Sequence, residues 1–109
     1  MINLEQQNLY GLQAEVIKAV AHPVRIAIVD FLKDQDQCVC DIVTHVGAQR
    51  SNVSRHLAVM VNAGVLSFRK EGLKVIYTLE TCCMPEFLGC VAKVVEQRTA
   101  QAQRLSRAV

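Results

Sequence analysis

The stretch DIVTHVGAQRSNVSRHLAVMVNAGVLSFRKEGLKVIYTL, residues 41–79, constrains the fold more than any other part of the chain. It sets two short helical segments around a glycine, then two β-branched runs around a tight turn. Asp41 suits a helix N-cap. The segment it opens runs to His45 or Val46, and Gly47 suits the left-handed residue that ends a helix. Gln49 or Ser51 starts a second helix, in which Val53, Leu57, Met60 and Val61 repeat at i, i+4, i+7 and i+8. Gly64 stops it. VLSFRK and LKVIYTL then flank Glu71-Gly72 as a β-hairpin. Helix, glycine turn, helix and basic-flanked hairpin together predict a winged helix-turn-helix.

The flanks fit that frame. Leu9, Leu12, Val16 and Val20 form an amphipathic stripe on a helix over about 4–20. His22-Pro23 punctuates the chain, and Pro23 suits the first turn of a new helix. That helix, about 23–33, is apolar almost all round through Val24, Ile26, Ile28, Val29, Phe31 and Leu32, which predicts the central buried helix. KDQDQ is a polar break, and CVC a short extended piece. Thr81 caps a final helix over about 82–104. Its stripe, Met84, Phe87, Leu88, Val91 and Val95, is too long for the small core to cover. The two terminal helices are therefore expected to pair with their copies in a second subunit. The fold class is mainly α with a small β-hairpin, a single winged helix-turn-helix domain over residues 1–109 with extra N- and C-terminal dimerisation helices.

With 109 residues, one small domain is expected. Hydrophobic residues make up 51% and charged residues 20%, a globular rather than a disordered balance. No run of 18 apolar residues exists, so no membrane span is expected. MINLEQQNLY lacks a basic region followed by an apolar one, which points to a cytoplasmic protein without a signal peptide. Five cysteines are an odd number for a disulfide scaffold. Clustered thiols in a reducing compartment are metal ligands, redox sensors or core residues. An enzyme is not expected: no Cys-x-x-Cys lies in a βαβ setting, and there is no Ser-His-Asp order and no phosphate loop.

Charge is unevenly placed. Residues 1–49 hold three basic side chains against six acidic ones, whereas residues 50–109 hold nine against four. Within 50–74, Arg50, Arg55, Arg69, Lys70 and Lys74 face Glu71 alone. Such a patch is either a phosphate-facing surface or a solvated face. The second helix of a helix-turn-helix enters the major groove of duplex DNA and reads base edges from its N-terminal residues. Here it opens with Gln49, Arg50, Ser51 and Asn52, followed a turn later by Ser54, Arg55 and His56. Arg suits guanine, Gln or Asn suits adenine, and Ser and Arg suit phosphates. His56 either contacts DNA or orients its neighbours. Arg69, Lys70 and Lys74 flank the hairpin turn, where a wing meets the DNA backbone.

AHPVRIAIVDFL, CVCDIV and SNVSRHLAVMVNAGVLSFRKEGLKVIYTL resemble the ArsR/SmtB family of arsenical- and metal-responsive repressors, over about residues 12–80. The resemblance implies a homodimeric winged-helix repressor on double-stranded operator DNA, released by an inducer. It implies no cofactor for DNA binding, no membrane partner and no small-molecule substrate. By position, Arg50, Ser51, Asn52, Ser54 and Arg55 would read DNA, and Arg69, Lys70 and Lys74 would form the wing contact.

CVCD resembles the family's inducer-binding motif, but the third cysteine of arsenite- and antimonite-sensing members is Val43 here. The N-terminal cysteines of cadmium and lead sensors are absent from residues 1–37, and the last helix has no His or Asp for a zinc site. Trivalent arsenic takes three thiolates, and cadmium and lead also favour them. Antiparallel pairing of CVC with the outer hairpin strand would bring Cys38 near residues 79–82. The expected metal site is therefore Cys38, Cys40, and Cys82 or Cys83. A second option is a trithiolate of Cys82, Cys83 and Cys90, but Cys83 and Cys90 are two helical turns apart, roughly 10 Å; Cys90 is expected in the core or a dimer interface, since free Cys is often buried. The alternative is a redox- or persulfide-responsive repressor of the same fold, although the central helix lacks the cysteine of such family members. A winged helix used only for protein contact is a further alternative.

Overall fold

The computed structural model describes residues 1–108. Eight elements follow in order: α1 (Leu4–Lys18), α2 (Pro23–Leu32), β1 (Gln37–Cys38), α3 (Val39–Val46), α4 (Arg50–Asn62), β2 (Leu66–Glu71), β3 (Lys74–Leu79) and α5 (Met84–Ala108). The strands form one antiparallel sheet in the order β1-β3-β2. This is the expected winged helix-turn-helix, with α3 and α4 as the helical pair and β2-β3 as the wing.

Local chemistry sets the boundaries. Asn3 and Gln6 exchange bonds as a capping box that starts α1: Asn3 Oδ1 accepts from the Gln6 N–H at 2.8 Å, and Gln6 Oε1 accepts from the Asn3 N–H at 2.9 Å. The helix ends at Lys18 rather than Val20, because the N–H groups of Val20 and Ala21 bond three residues back, to the Ile17 and Lys18 carbonyls, in tighter turns. His22 caps α2, its Nδ1 accepting from the Val24 N–H at 3.1 Å, and Pro23 takes the first turn.

Two expected caps are corrected. Cys38, not Asp41, is the N-cap of α3, and its Sγ accepts from the Asp41 N–H at 3.3 Å. Of the CVC segment only Cys38 is extended, together with Gln37 before it, so Cys40 lies in the first turn of the helix. Thr81 does not cap α5 with its side chain: its Oγ1 is buried without a hydrogen-bond partner. Its carbonyl accepts from Met84 N–H and that of Cys83 from Phe87 N–H, so Cys82 and Cys83 form a turn and α5 begins at Met84. The hairpin turn is also one residue further on than expected. Glu71 pairs with Lys74, leaving Gly72 and Leu73 as the loop. Gly72 has φ 62°, and among the described residues only glycines have positive φ, as a turn with glycine first requires.

The core lies beneath α2, α3, α4 and the base of the sheet. Ile28 and Val29 of α2, Ile42 of α3, Val53, Leu57 and Met60 of α4, and Val65 are all fully enclosed. The wing points away from it: Leu66 is buried, and Phe68 through Glu71 are exposed. The terminal helices stand apart. No residue of α1 is buried, and α5 buries only Met84 while exposing Phe87, Val91, Val94, Val95 and Leu105. The radius of gyration is 17.3 Å, against about 13 Å for a compact chain of this length. The helix α2 is less enclosed than its apolar sequence predicts: Ile28, Val29 and Leu32 are buried, Val24 and Phe31 half-buried, and Ile26 exposed.

Candidate nucleic-acid interface and thiol cluster

The polar residues of α4 and its cap share one outer face. Val53, Leu57 and Met60 point into the core, so Arg50, Ser51, Asn52, Ser54 and Arg55 are left exposed. Gln49 is the N-cap but makes no side-chain capping bond, which leaves its amide free to reach outward. Arg55 Nη2 donates to Asn52 Oδ1 at 3.0 Å, aligning two long side chains one turn apart. This face is rich in donors and acceptors, the chemistry that base edges and phosphates need, with Val59 the exposed apolar side chain a turn further on.

His56 sits differently. It is half-buried, its Nδ1 accepts from Arg25 Nε at 3.1 Å, and its ring lies 4.4 Å from that of His22. Burial, and then the nearby His22, Arg25 and Arg55, hold its pKa below the ordinary imidazole value. His56 is thus turned toward α2, not outward beside Arg55. Arg25 and His22 carry no sign in sequence periodicity of contacting it; only the His-Pro-x-Arg order at a helix start could have drawn attention to them.

On the wing, the three predicted basic residues separate. Arg69 Nη1 donates to Asp36 Oδ2 at 2.7 Å and Thr78 Oγ1 at 3.2 Å, and Arg69 Nε to Glu71 Oε1 at 2.8 Å. Two carboxylates therefore neutralise it. Its hydrogen bonds raise its pKa, while the bond from Arg69 lowers that of Asp36. Arg69 fastens the wing to the loop before β1. Lys70 and Lys74 are exposed and make no ion pair among the described residues.

The thiols also separate. Cys38 and Cys40 are in bonding contact as a disulfide, with Cα atoms 5.4 Å apart. Cys38 is buried and Cys40 exposed. Ligand atoms of Cys38, Cys40 and Asp41 all lie within 4.8 Å of one another, the one such group of three among the described residues. Cys82, Cys83 and Cys90 are free and exposed, so Cys90 is not a core residue within the single chain. The sheet does not bring Cys82 or Cys83 to Cys38. Cys38 pairs with Ile76 and Gln37 with Tyr77, so the end of β3 faces Asp36 rather than the cysteines. Beyond Leu79 the chain stays on the β2 side, where Glu80 N–H donates to the Val65 carbonyl at 2.9 Å. The direction of pairing is readable in the sequence, but a two-residue strand leaves its register open.

Comparison with known proteins agrees with this geometry. The profile of the "Bacterial regulatory protein, arsR family" matches residues 22–67, the span from the α2 cap to the first wing strand. An uncharacterised HTH-type transcriptional regulator of Mycobacterium tuberculosis, Rv0081, is 37% identical over 93 residues, 84% of this chain and 82% of its own. Its crystal structure superposes with a TM-score of 0.74 at 35% identity, covering 86% of this chain and 95% of that one. The arsenical resistance operon repressor of Escherichia coli is 32% identical over 87 residues, 79% of this chain and 71% of its own.

The chain belongs to the arsR family.

It is therefore a transcriptional regulator with a winged helix-turn-helix, and not an enzyme. HlyU from Vibrio cholerae gives a further structural match within this arsR-type fold, with TM-score 0.70 and 29% identity over 75% of this chain and 92% of that one. Among the described residues no helix is long and apolar enough to cross a membrane.

Proposed function

We propose that this chain is a homodimeric repressor that binds double-stranded operator DNA through α4 and the wing, and leaves it when a thiol-binding inducer joins Cys38 and Cys40. The observation that carries the DNA reading is the exposed row Gln49, Arg50, Ser51, Asn52, Ser54 and Arg55, held outward by a buried Val53-Leu57-Met60 face. Lys70 and Lys74 extend it as phosphate contacts. The bare apolar faces of α1 and α5 support a dimer, the state named for a winged-helix homologue of solved structure from Mycobacterium bovis that shares the fold at 23% identity. Both recognition helices of such a dimer would meet one face of DNA. The regulator's working place is the cytoplasm.

The inducer site is the start of α3. Two thiolates and the Asp41 carboxylate form a mixed donor set that suits a soft divalent ion such as cadmium or lead. Trivalent arsenic or antimony requires a third thiolate, which Cys82 or Cys83 would supply across a subunit interface. Binding there would re-form the first turn of α3, the helix packed under α4, and so couple to DNA affinity. A relative from Staphylococcus aureus, named as a homologue of a cadmium resistance regulator, is 34% identical over 79 residues.

One observation favours a second reading, the bonding contact of the Cys38 and Cys40 sulfurs. Two thiols would then give up two protons and two electrons to a low-molecular-weight disulfide, which leaves as two thiols.

Titration of the reduced protein with arsenite, cadmium and zinc, followed by ultraviolet thiolate-to-metal absorption, separates these readings. Cys38→Ser and Cys40→Ser should keep DNA binding and lose both the absorption and the release. Normal release in both variants overturns the inducer site. Release by oxidant but not by any ion selects the redox reading.

A further inference from the structure

We propose that Arg25 and His56 form a positioning clamp for the recognition helix, with His22 stacked behind it, and that His56 reads no base itself. The inference rests on the reading of α4 as the DNA-contacting helix. Among the described residues, the Arg25–His56 bond is the sole side-chain hydrogen bond joining α4 to another helix. The buried side chains of α4, Val53, Leu57 and Met60, are all apolar. Apolar packing is non-directional, whereas a hydrogen bond weakens steeply off its angle. The apolar stripe decides which side of α4 faces out, and the clamp sharpens the roll within that side, and with it the aim of Arg55 and Asn52.

The protonation states follow from the partners. Arg has donors only, so the Nδ1 facing it carries no proton. The same holds for His22 Nδ1, which accepts from the Val24 N–H. The His56 ring is neutral while its bond from Arg25 exists. Arg25, Asn52, Arg55, His56 and Val59 line one hollow of about 230 Å³. Two guanidiniums share that hollow, and the neutral His56 acceptor holds one of them against α2. A proton on His56 would remove the acceptor and add a third positive charge beside Arg25 and Arg55. Glu15 and Lys18 of α1 line the neighbouring hollow on the other side of Arg25 and complete the charged surroundings.

The test compares His56→Asn, which keeps an acceptor near the Nδ1 position, with His56→Gln, His56→Ala and Arg25→Ala. The probe is a duplex selected from a random pool by the wild-type protein. His56→Ala, His56→Gln and Arg25→Ala should each weaken binding roughly tenfold, the weight of one hydrogen bond to a charged group, with the salt slope unchanged because no phosphate contact is lost. His56→Asn should bind within about threefold of wild type. Acidification through the imidazole range should then weaken wild type relative to His56→Asn. A drop of about one in the salt slope of His56→Ala makes His56 a phosphate contact and overturns the clamp. Equal affinity of His56→Ala, His56→Asn and wild type overturns it as well. The imidazole nitrogen resonances of the free protein test the clamp without DNA. His56 Nδ1 should be unprotonated at neutral pH and should shift in Arg25→Ala; a proton on Nδ1 contradicts the clamp. Failure of the wild-type protein to bind any duplex would instead sink the DNA reading, and the resonances would still decide the clamp.

Discussion

Removing the wing lysines should weaken the salt dependence of DNA binding, whereas removing the neighbouring arginine should not. Lys70 and Lys74 project free from the hairpin, while Arg69 is already bound to Asp36 and Glu71. A free lysine that lands on a phosphate releases condensed counterions and steepens the dependence of log affinity on log salt by about 0.9. A two-fold complex presents four such lysines, so Lys70→Ala with Lys74→Ala should flatten the slope by roughly 3.6 when all four sit on phosphates. Between 50 and 200 mM salt the wild type would then lose roughly 150-fold more affinity than the double variant. Arg69→Ala should leave the slope nearly unchanged, since its charge is neutralised before DNA arrives. Fluorescence anisotropy of a labelled duplex at four or five salt concentrations measures all three slopes. An Arg69→Ala slope as flat as that of the lysine variant would refute the reasoning, because it would mean that Arg69 abandons both carboxylates for phosphate.

Other expectations concern the scaffold. Leu57 is fully enclosed, so Leu57→Ala should cost about 2–5 kcal/mol in denaturant melts, with an unchanged m-value. Gly47 ends α3 at φ 73°, and a methyl added there would meet only open space; Gly47→Ala should cost about 1–2 kcal/mol from the backbone alone, and Gly47→Asn less. His56 has its pKa held down in the folded state. The unfolded chain then takes up the proton first as pH falls, so stability is full above the ordinary imidazole range and declines as pH falls through it. Thermal melts across that range should show the decline shrink in His56→Asn.

The fold is largely legible in the sequence because each boundary carries its own chemistry. Gly47, Gly64 and Gly72 punctuate the helix-turn-helix and the wing, and the Val53-Leu57-Met60 stripe fixes which side of α4 faces out. The predicted reading row Gln49 to Arg55 follows from that stripe alone, apart from Val53 within it. What escapes is long-range and depends on register. Pairing direction alone puts Cys38 near residues 79–82, yet it faces Ile76, because a two-residue strand has no alternating pattern to set its pairing. Cys38 rather than Asp41 caps α3, since a sulfur at the last extended residue reaches the Asp41 N–H as an aspartate three residues later could not. Arg69 has the sequence position of a wing cation, but Asp36 meets it from a loop 33 residues away. His56 belongs to the polar row by spacing, and only the packing of α2 turns it inward.

The central claim is that two copies of α4 address one DNA duplex, and a footprint tests it most directly. Hydroxyl-radical protection of a pool-selected duplex by the reduced protein should show two half-sites related by a two-fold axis, about 34–36 Å or 10–10.5 base pairs apart or a multiple of that spacing. The protection should vanish in a variant carrying Arg50→Ala, Asn52→Ala and Arg55→Ala. A single unpaired protected site, or protection that survives those three changes, would contradict the account.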